Sequence, residues 1–275
     1  MKNLFRIPLL LMGLSTFFFS CEDDPDLGPP PIVGFDVTSK VAEPGELLTF
    51  TNNTTVESGT PTYEWNFGDG DLSAKENPTH FYSDTGNYLV TLKVTTEMGA
   101  TEMTEQNIFI GIRYLKSIEL LDWTDSTTKI DDNDSLYTAL WDEDGSEPDI
   151  ILLLAGPNEQ ELSTVDNPAL DVSQKPFTLD IQGDFLLYNS SYFLLIGDED
   201  IDPATDSVSY DWMIIRDGEF NPLVQANNPN NIVHINAAGQ LAQGKNPETG
   251  EGALYFGNIP EYGDRAVGLM NFEIR

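Results

Sequence analysis

The clearest alternation of apolar and polar positions in the chain lies in residues 88–94. Every second residue of this segment is apolar or aromatic and would share one face of a β-strand: Tyr88, Val90, Leu92 and Val94. Trp65 and Phe67 are also two positions apart, which predicts a pair of core aromatic residues on one strand. The sequences Gly68-Asp69-Gly70, Asn77-Pro78 and Thr85-Gly86 are turn signals between these elements. Short strands between turns at this spacing predict a β-sandwich.

The segment that contains these features resembles the PKD domain, a family of small extracellular, immunoglobulin-like β-sandwiches. The matching positions are Tyr63, Trp65, Phe67-Gly68-Asp69-Gly70, Asn77-Pro78-Thr79-His80, Tyr82, Gly86 and Tyr88-Leu89-Val90-Thr91-Leu92-Lys93-Val94. The resemblance covers residues 32–113 and implies a spacer, or a module that contacts protein or glycan, rather than a catalyst. Within it, Asp69 and His80 are expected to hold a turn and to pack a strand end.

The N-terminus has the pattern of a bacterial lipoprotein signal. Lys2 and Arg6 precede an apolar run over residues 7–19, which is long enough for a signal-peptide core but too short to span a bilayer. Cys21 follows directly and is the single cysteine of the chain, so it cannot form an internal disulfide. The position resembles a lipobox, which implies that residues 1–20 are removed and that Cys21 is acylated.

The residues after Cys21 predict a tether. Residues 21–31 are acidic and rich in proline, so they are expected to be extended and stiff rather than part of a core. Acidic residues directly after a lipid-bearing cysteine resemble a signal for display on the outer surface of some Gram-negative bacteria. The sequence therefore predicts an outer-membrane protein that meets the membrane through its lipid alone.

The net charge excludes partners that are themselves strongly negative. The chain carries a formal charge of −33, and removal of Lys2 and Arg6 with the signal would bring it to −35. Such a protein is repelled by nucleic acid and by anionic lipid head groups. A content of 40% hydrophobic residues nevertheless predicts a folded chain, and its length suits two domains.

Residues 114–275 show a second all-β pattern. Short apolar runs are separated by acidic or Asn-, Gly- and Pro-rich segments, and no long 3.6-residue repeat predicts a helix. The clearest runs are 150–154, 185–188, 192–196, 212–215, 253–256 and 266–274. We therefore predict two β-sandwich domains in tandem, with the residues after 222 contributing further strands.

Acidic residues cluster near the ends of two predicted strands, and calcium is the cation that suits such clusters because it takes six to eight oxygen ligands. One predicted loop follows the strand 192–196, and a second precedes the strand that begins at Ile150. Both resemble calcium loops of C2 domains, so the second sandwich is predicted to be C2-like. The candidate metal ligands are Asp198, Asp200, Asp206, Asp149 and Asp144. The alternative is a solvated acidic surface, and both interpretations stay open at this stage.

The chain contains no recognisable catalytic motif. Its two histidines, His80 and His234, lie in different predicted domains, and the signatures of serine hydrolases, zinc proteases and nucleotide-binding loops are missing. We therefore expect a binding or adhesion protein of the cell surface with a glycan or protein ligand. The alternatives are a scaffold subunit of an outer-membrane complex and a polysaccharide hydrolase that uses paired carboxylates. Trp123, Trp141 and Trp212 are candidate sugar platforms, although core packing is the expected role of each.

Overall fold

The computed structural model describes residues 26–124, 127–130, 136–139, 147–158, 160–164, 169–187, 190–202, 204–220, 232–257 and 266–275. The signal segment, Cys21, Asp144 and Trp141 lie outside these residues. All the regular secondary structure in these residues is β-strand. No helix that could cross a membrane is found among them. This confirms the predicted fold class.

The first domain consists of strands β1 (Phe35–Val37), β2 (Val41–Ala42), β3 (Leu48–Asn52), β4 (Thr62–Asn66), β5 (Leu72–Ser73), β6 (Thr79–His80), β7 (Gly86–Thr95) and β8 (Thr101–Ile110). One sheet has the order β2-β8-β7-β4-β5 and the facing sheet has the order β1-β3-β6. All the strand pairs are antiparallel except β2 with β8. The two sheets form the predicted sandwich.

Aromatic side chains fill the core of the first domain. Trp65 and Phe67 are both buried, as their spacing predicts, and Phe35 meets the Trp65 ring edge-on at 5.0 Å between centroids. The Trp65 indole N–H donates to the Lys75 carbonyl oxygen at 2.8 Å, so its one polar atom is paired inside the core. In β7, every second residue from Val90 to Val94 is fully buried, which confirms the alternation read from the sequence.

The second domain contains the remaining strands: β9 (Arg113–Trp123), β10 (Thr127–Ile130), β11 (Leu136–Ala139), β12 (Ile150–Ala155), β13 (Glu161–Ser163), β14 (Phe177–Leu186), β15 (Tyr192–Asp202), β16 (Ser207–Phe220), β17 (Ile232–Ile235), β18 (Leu241–Gln243), β19 (Gly252–Gly257) and β20 (Ala266–Ile274). Its sheets have the orders β13-β12-β15-β16 and β14-β9-β20-β19-β17-β18, and β10 pairs with β11. Buried residues of both larger sheets form one core. The predicted further strands of the C-terminal segment include β17 to β20.

The join between the two domains is short and hydrogen-bonded. Only Gly111 and Ile112 separate β8 from β9. The Gly111 N–H donates to the Ala42 carbonyl at 3.0 Å, while Ile112 and Arg275 exchange two backbone hydrogen bonds of 3.0 Å. The linker therefore has little freedom to rotate, because its backbone groups are held by the first domain on one side and by the C-terminal end of β20 on the other.

The loop between β18 and β19 docks on the first domain. The Lys40 N–H and the Ser39 hydroxyl both donate to the Pro247 carbonyl, at 2.7 and 3.2 Å. Gly250 lies so close to Val41 that a β-carbon at Gly250 would overlap with Val41 Cγ1. These contacts join residues about 200 positions apart in the chain and fix the second domain against the end of the first.

Two ion pairs cross the same join. Arg113 is buried, donates to the Glu43 carboxylate, and lies 4.4 Å from the centre of the Phe272 ring. Lys245 Nζ lies 2.5 and 2.8 Å from the two carboxylate oxygens of Glu46. Because each pair is partly shielded from water, removing one partner leaves a poorly solvated charge and costs more than removing one partner of an exposed surface pair.

Candidate functional site

Three acidic residues of the second domain lie close together on the hairpin formed by β15 and β16. Carboxylate oxygens of Asp198, Asp200 and Asp211 all lie within 4.8 Å of one another. Asp198 and Asp200 are two apart in β15 and so share a face, and Asp211 is the cross-strand partner of Asp198. We call these three residues the acidic cluster.

The acidic cluster lies on the core-facing side of its sheet. Leu194 and Ile196 are fully buried in β15, and Asp198 continues the same every-second-residue row with no exposed surface. The Asp149 N–H donates to Asp198 Oδ1 at 2.7 Å, and the Glu199 N–H donates back to the Asp149 carbonyl at 3.0 Å. The row of inward side chains thus changes from aliphatic to carboxylate at one end of the sandwich.

The donor type and the spacing of the acidic cluster suit a cation. Two carboxylates about 5 Å apart repel each other by on the order of 3 kcal/mol at an effective dielectric constant of about 20. Two oxygens bound to one calcium at about 2.3–2.6 Å lie up to about 5 Å apart, which matches the spacing in the cluster. The cluster therefore has the donor type and the spacing of an oxygen-ligand metal site.

The structure corrects the predicted location of these ligands. Asp198 and Asp200 were expected in a loop after residue 196, but they lie inside β15, which continues to Asp202 and pairs with β16 down to Ser207. Backbone pairing with β16 provides hydrogen-bond partners for a segment whose acidic composition indicated a loop. Asp211 was missed because only the register of the hairpin brings it opposite Asp198.

Two of the other candidate ligands lie outside the acidic cluster. Asp149 touches Asp198 through its backbone N–H, while its own Oδ1 accepts a hydrogen bond of 2.7 Å from the Asp171 N–H. Asp206 is in the turn of the hairpin, with a φ of 57°. Two residue pairs, or about 7 Å of strand, separate that turn from Asp200. Asp144 lies outside the described residues, and the C2-like character of the domain stays a prediction.

A second group of potential metal ligands lies in the first domain and consists of Asp69, Asp71 and His80. His80 Nε2 lies 2.7 Å from Asp69 Oδ2, and the Asp71 N–H donates to Asp69 Oδ1 at 3.0 Å. Desolvation raises the pKa of Asp69, but the hydrogen bonds from Asp71 and His80 and the charge of His80 outweigh it, so the pKa is below its ordinary value. The His80 ring stacks on Phe67 at 4.2 Å. These bonds occupy Asp69 and His80 within the turn, as expected for a structural role.

The three tryptophans named as possible platforms have different surroundings. Trp123 is buried in the second core with the Lys175 ammonium 4.6 Å from its ring, which matches the expected packing role. Trp212 is half-buried and stacks on Tyr210, with 5.5 Å between ring centroids. Trp141 lies outside the described residues.

Comparison with known families identifies the first domain. The family model described as PKD domain matches residues 29–110. The first domain is a PKD domain. The match includes the Trp65 and Phe67 core pair, the turn at Gly68 and the β7–β8 hairpin, so the resemblance noted in the sequence is confirmed.

Other similar proteins share only a short segment or a low sequence identity with this chain. A microbial collagenase of Vibrio alginolyticus is 37% identical over 69 residues, which is 24% of this chain and 8% of the collagenase, so the chain spans less than a tenth of that relative. The PKD1 domain of Vibrio anguillarum Epp is 29% identical, covering 30% of this chain and 94% of that domain with a TM-score of 0.27. A solved structure titled for carbohydrate-binding modules of the β-sandwich superfamily is 14% identical, covering 66% of this chain and 98% of its own with a TM-score of 0.29.

Proposed function

We propose that the chain is a lipid-anchored binding protein of the outer cell surface, in which the PKD domain is a spacer that presents the second β-sandwich to a ligand. The path of the chain through the PKD domain carries this proposal. Gly28 packs against Met98 and Leu27 against Gly99, so the chain enters beside the β7–β8 turn. It leaves at Ile110, at the far end of the ten-residue strand β8, which is about 30 Å away.

The rigid join supports the spacer role. A flexible linker would let the second domain fold back towards the membrane, whereas Gly111 and Ile112 are held by hydrogen bonds from both domains. The docked loop at Pro247 and the ion pair of Arg113 with Glu43 hold the orientation further. The second domain is thereby kept at the end of the PKD domain that lies opposite the tether.

The proposed anchor is an acyl group on Cys21. The apolar segment 7–19 directs export, Cys21 provides the thiol, and the acidic, proline-rich residues 22–31 separate the lipid from the PKD domain. A single acyl chain gives weak membrane attachment, so stable anchoring needs more than one chain on the mature N-terminus.

Metabolic labelling with radioactive palmitate tests the anchor. The wild-type protein is expected to take up label and to fractionate with the outer membrane, and Cys21→Ser is expected to lose both because it lacks the thiol that is acylated. Cys21 is the only cysteine, so no second thiol can substitute for it. Equal labelling of wild type and Cys21→Ser would refute the anchor.

We also propose that the acidic cluster holds calcium. Asp198, Asp200 and Asp211 would provide carboxylate oxygens, with remaining positions available to water or carbonyl oxygens. Calcium would offset the repulsion among the three carboxylates and stabilise the β15–β16 hairpin at the end of the domain.

Isothermal titration of the metal-free protein with calcium chloride tests this site. We expect Asp200→Asn to weaken binding strongly, since it removes a charged oxygen ligand. Asp206→Asn is the matched control: it makes the same chemical change in the same hairpin but outside the cluster, and asparagine tolerates the positive φ. Calcium binding that is unaffected by Asp200→Asn, or absent in the wild type, would refute the site.

A further inference from the structure

The outer face of the β15–β16 hairpin carries an exposed apolar stripe. Ile201 pairs with Val208 across the hairpin, and their side chains are 58% and 47% exposed. Tyr210 and Trp212 continue the same face of β16, with Tyr210 36% exposed. Because side chains alternate along a strand, this stripe is on the opposite face from the acidic cluster. Exposed apolar side chains grouped on a charged protein indicate a contact surface.

The stripe ends in two stacked aromatic rings. The Tyr210 and Trp212 rings are 5.5 Å apart between centroids, with an interplanar angle of 27°. Trp212 is paired with Gly197, and a β-carbon at Gly197 would lie 2.8 Å from Trp212 Cε3. Glycine at this position therefore lets the indole lean across β15 without a steric clash. We call Tyr210 and Trp212 the aromatic pair.

We propose that the aromatic pair is the binding site for a neutral oligosaccharide, an inference that rests on the proposed binding function and names its ligand class. One face of a sugar ring presents C–H groups, which pack on aromatic rings, while its hydroxyl groups need hydrogen-bond acceptors around the ring. The aromatic pair provides the ring faces, and the Tyr210 hydroxyl provides a hydrogen-bonding group beside them, whereas Glu199, the cross-strand partner of Tyr210, is buried. The net charge of −33 repels acidic glycans and so favours a neutral one.

The size of the stripe fits an oligosaccharide better than a protein. A fully exposed aromatic side chain offers about 150–250 Å², so four partly exposed side chains present roughly 300 Å². A stable protein partner needs about 800 Å² on each side. A short oligosaccharide needs far less, because it is held by one or two stacked rings and their surrounding hydrogen bonds.

Isothermal titration with defined sugars tests the proposal. The probes are neutral hexasaccharides of α- and β-linked glucose, xylose and mannose, together with hexagalacturonate as the anionic counterpart. We expect at least one neutral hexasaccharide to bind, and Tyr210→Ala and Trp212→Ala each to weaken it by about tenfold or more, the effect of losing one stacking contact. Tyr255→Ala is the matched control, because Tyr255 is equally exposed at 36% but lies on the six-stranded sheet, and its affinity should equal the wild type.

Several outcomes would overturn the inference. Sugar binding that Tyr210→Ala and Trp212→Ala leave unchanged would put the ligand elsewhere while keeping the binding function. Preference for hexagalacturonate would refute the neutral ligand. Failure of every sugar, or binding of a lysine-rich peptide that Tyr210→Ala abolishes, would refute the oligosaccharide. Palmitate labelling of Cys21 is a separate measurement, so a failure of sugar binding can be distinguished from a failure of the surface anchor. Tyr210→Ala changes an exposed side chain, so it tests the site even if Trp212→Ala does not fold.

Discussion

Replacing Gly250 with alanine should loosen the join between the two domains. Gly250 has a φ of 74°, where an alanine costs about 1 kcal/mol or slightly more. The added methyl group would also overlap with Val41 Cγ1 and lie 3.1 Å from Val41 Cβ. Overpacking of this kind costs about 1–3 kcal/mol. We therefore expect Gly250→Ala to lower the free energy of unfolding by about 2–4 kcal/mol, as measured by urea denaturation followed by circular dichroism.

Gly244→Ala separates the two contributions. Gly244 has a φ of 80° in the segment that leads into the same loop, but nothing lies within 4 Å of its would-be β-carbon. It should therefore show the backbone cost of about 1 kcal/mol alone. The difference between the two variants measures the packing around Gly250, which involves Val41 of the first domain and Ile274 of the second.

A double-mutant cycle with Val41→Ala tests whether that difference comes from the domain contact. If Val41 is the obstructing group, Val41→Ala should relieve most of the packing cost of Gly250→Ala, and the two changes should be non-additive by about 1–3 kcal/mol. Equal destabilisation by Gly244→Ala and Gly250→Ala, or additive behaviour in the cycle, would refute a tight join at this loop.

Two further predictions concern charged groups. Glu43→Gln should destabilise the protein by about 3 kcal/mol in urea unfolding, because it leaves the buried Arg113 charge uncompensated. The control Lys40→Ala removes an exposed ion pair and should cost under about 1 kcal/mol. Equal destabilisation by the two variants would contradict a special role for the buried pair. The Asp69 carboxyl should titrate below 3.8 by NMR and move upwards in His80→Ala. Because folding lowers the pKa of Asp69, the ionised carboxylate stabilises the protein above the unfolded-state pKa, and this stabilisation is lost as the pH falls through the folded-state pKa. An Asp69 pKa that is unchanged in His80→Ala would contradict the assigned role of His80.

Local patterns in the sequence were sufficient to predict the fold of the first domain. The spacing of Trp65 and Phe67 and the alternation from Tyr88 to Val94 specify which side chains face inward, because strand geometry repeats every two residues. Gly68, with a φ of 86° and the Leu89 carbonyl 2.9 Å from its would-be β-carbon, is required at its turn for reasons of backbone geometry. These are short-range properties, so they can be read from one sequence.

The acidic cluster and the join depend on long-range pairing and were only partly predictable. The sequence identified Asp198 and Asp200 but assigned them to a loop, because acidic composition is typical of loops and does not reveal a strand partner. Asp211 is brought to them by hairpin register, which a bulge at residues 196–197 shifts. Nothing local in Lys40 or Pro247 indicates that these residues touch across about 200 positions of chain.

Surface staining of intact cells tests the central proposal most directly. Cells that produce the protein would be stained with an antibody against the second domain and measured by flow cytometry, before and after permeabilisation of the outer membrane. We expect intact wild-type cells to stain fully, and cells producing Cys21→Ser to lose the surface signal because that variant lacks the acylated thiol. Wild-type protein detected only after permeabilisation would contradict a spacer that presents its second domain outside the cell.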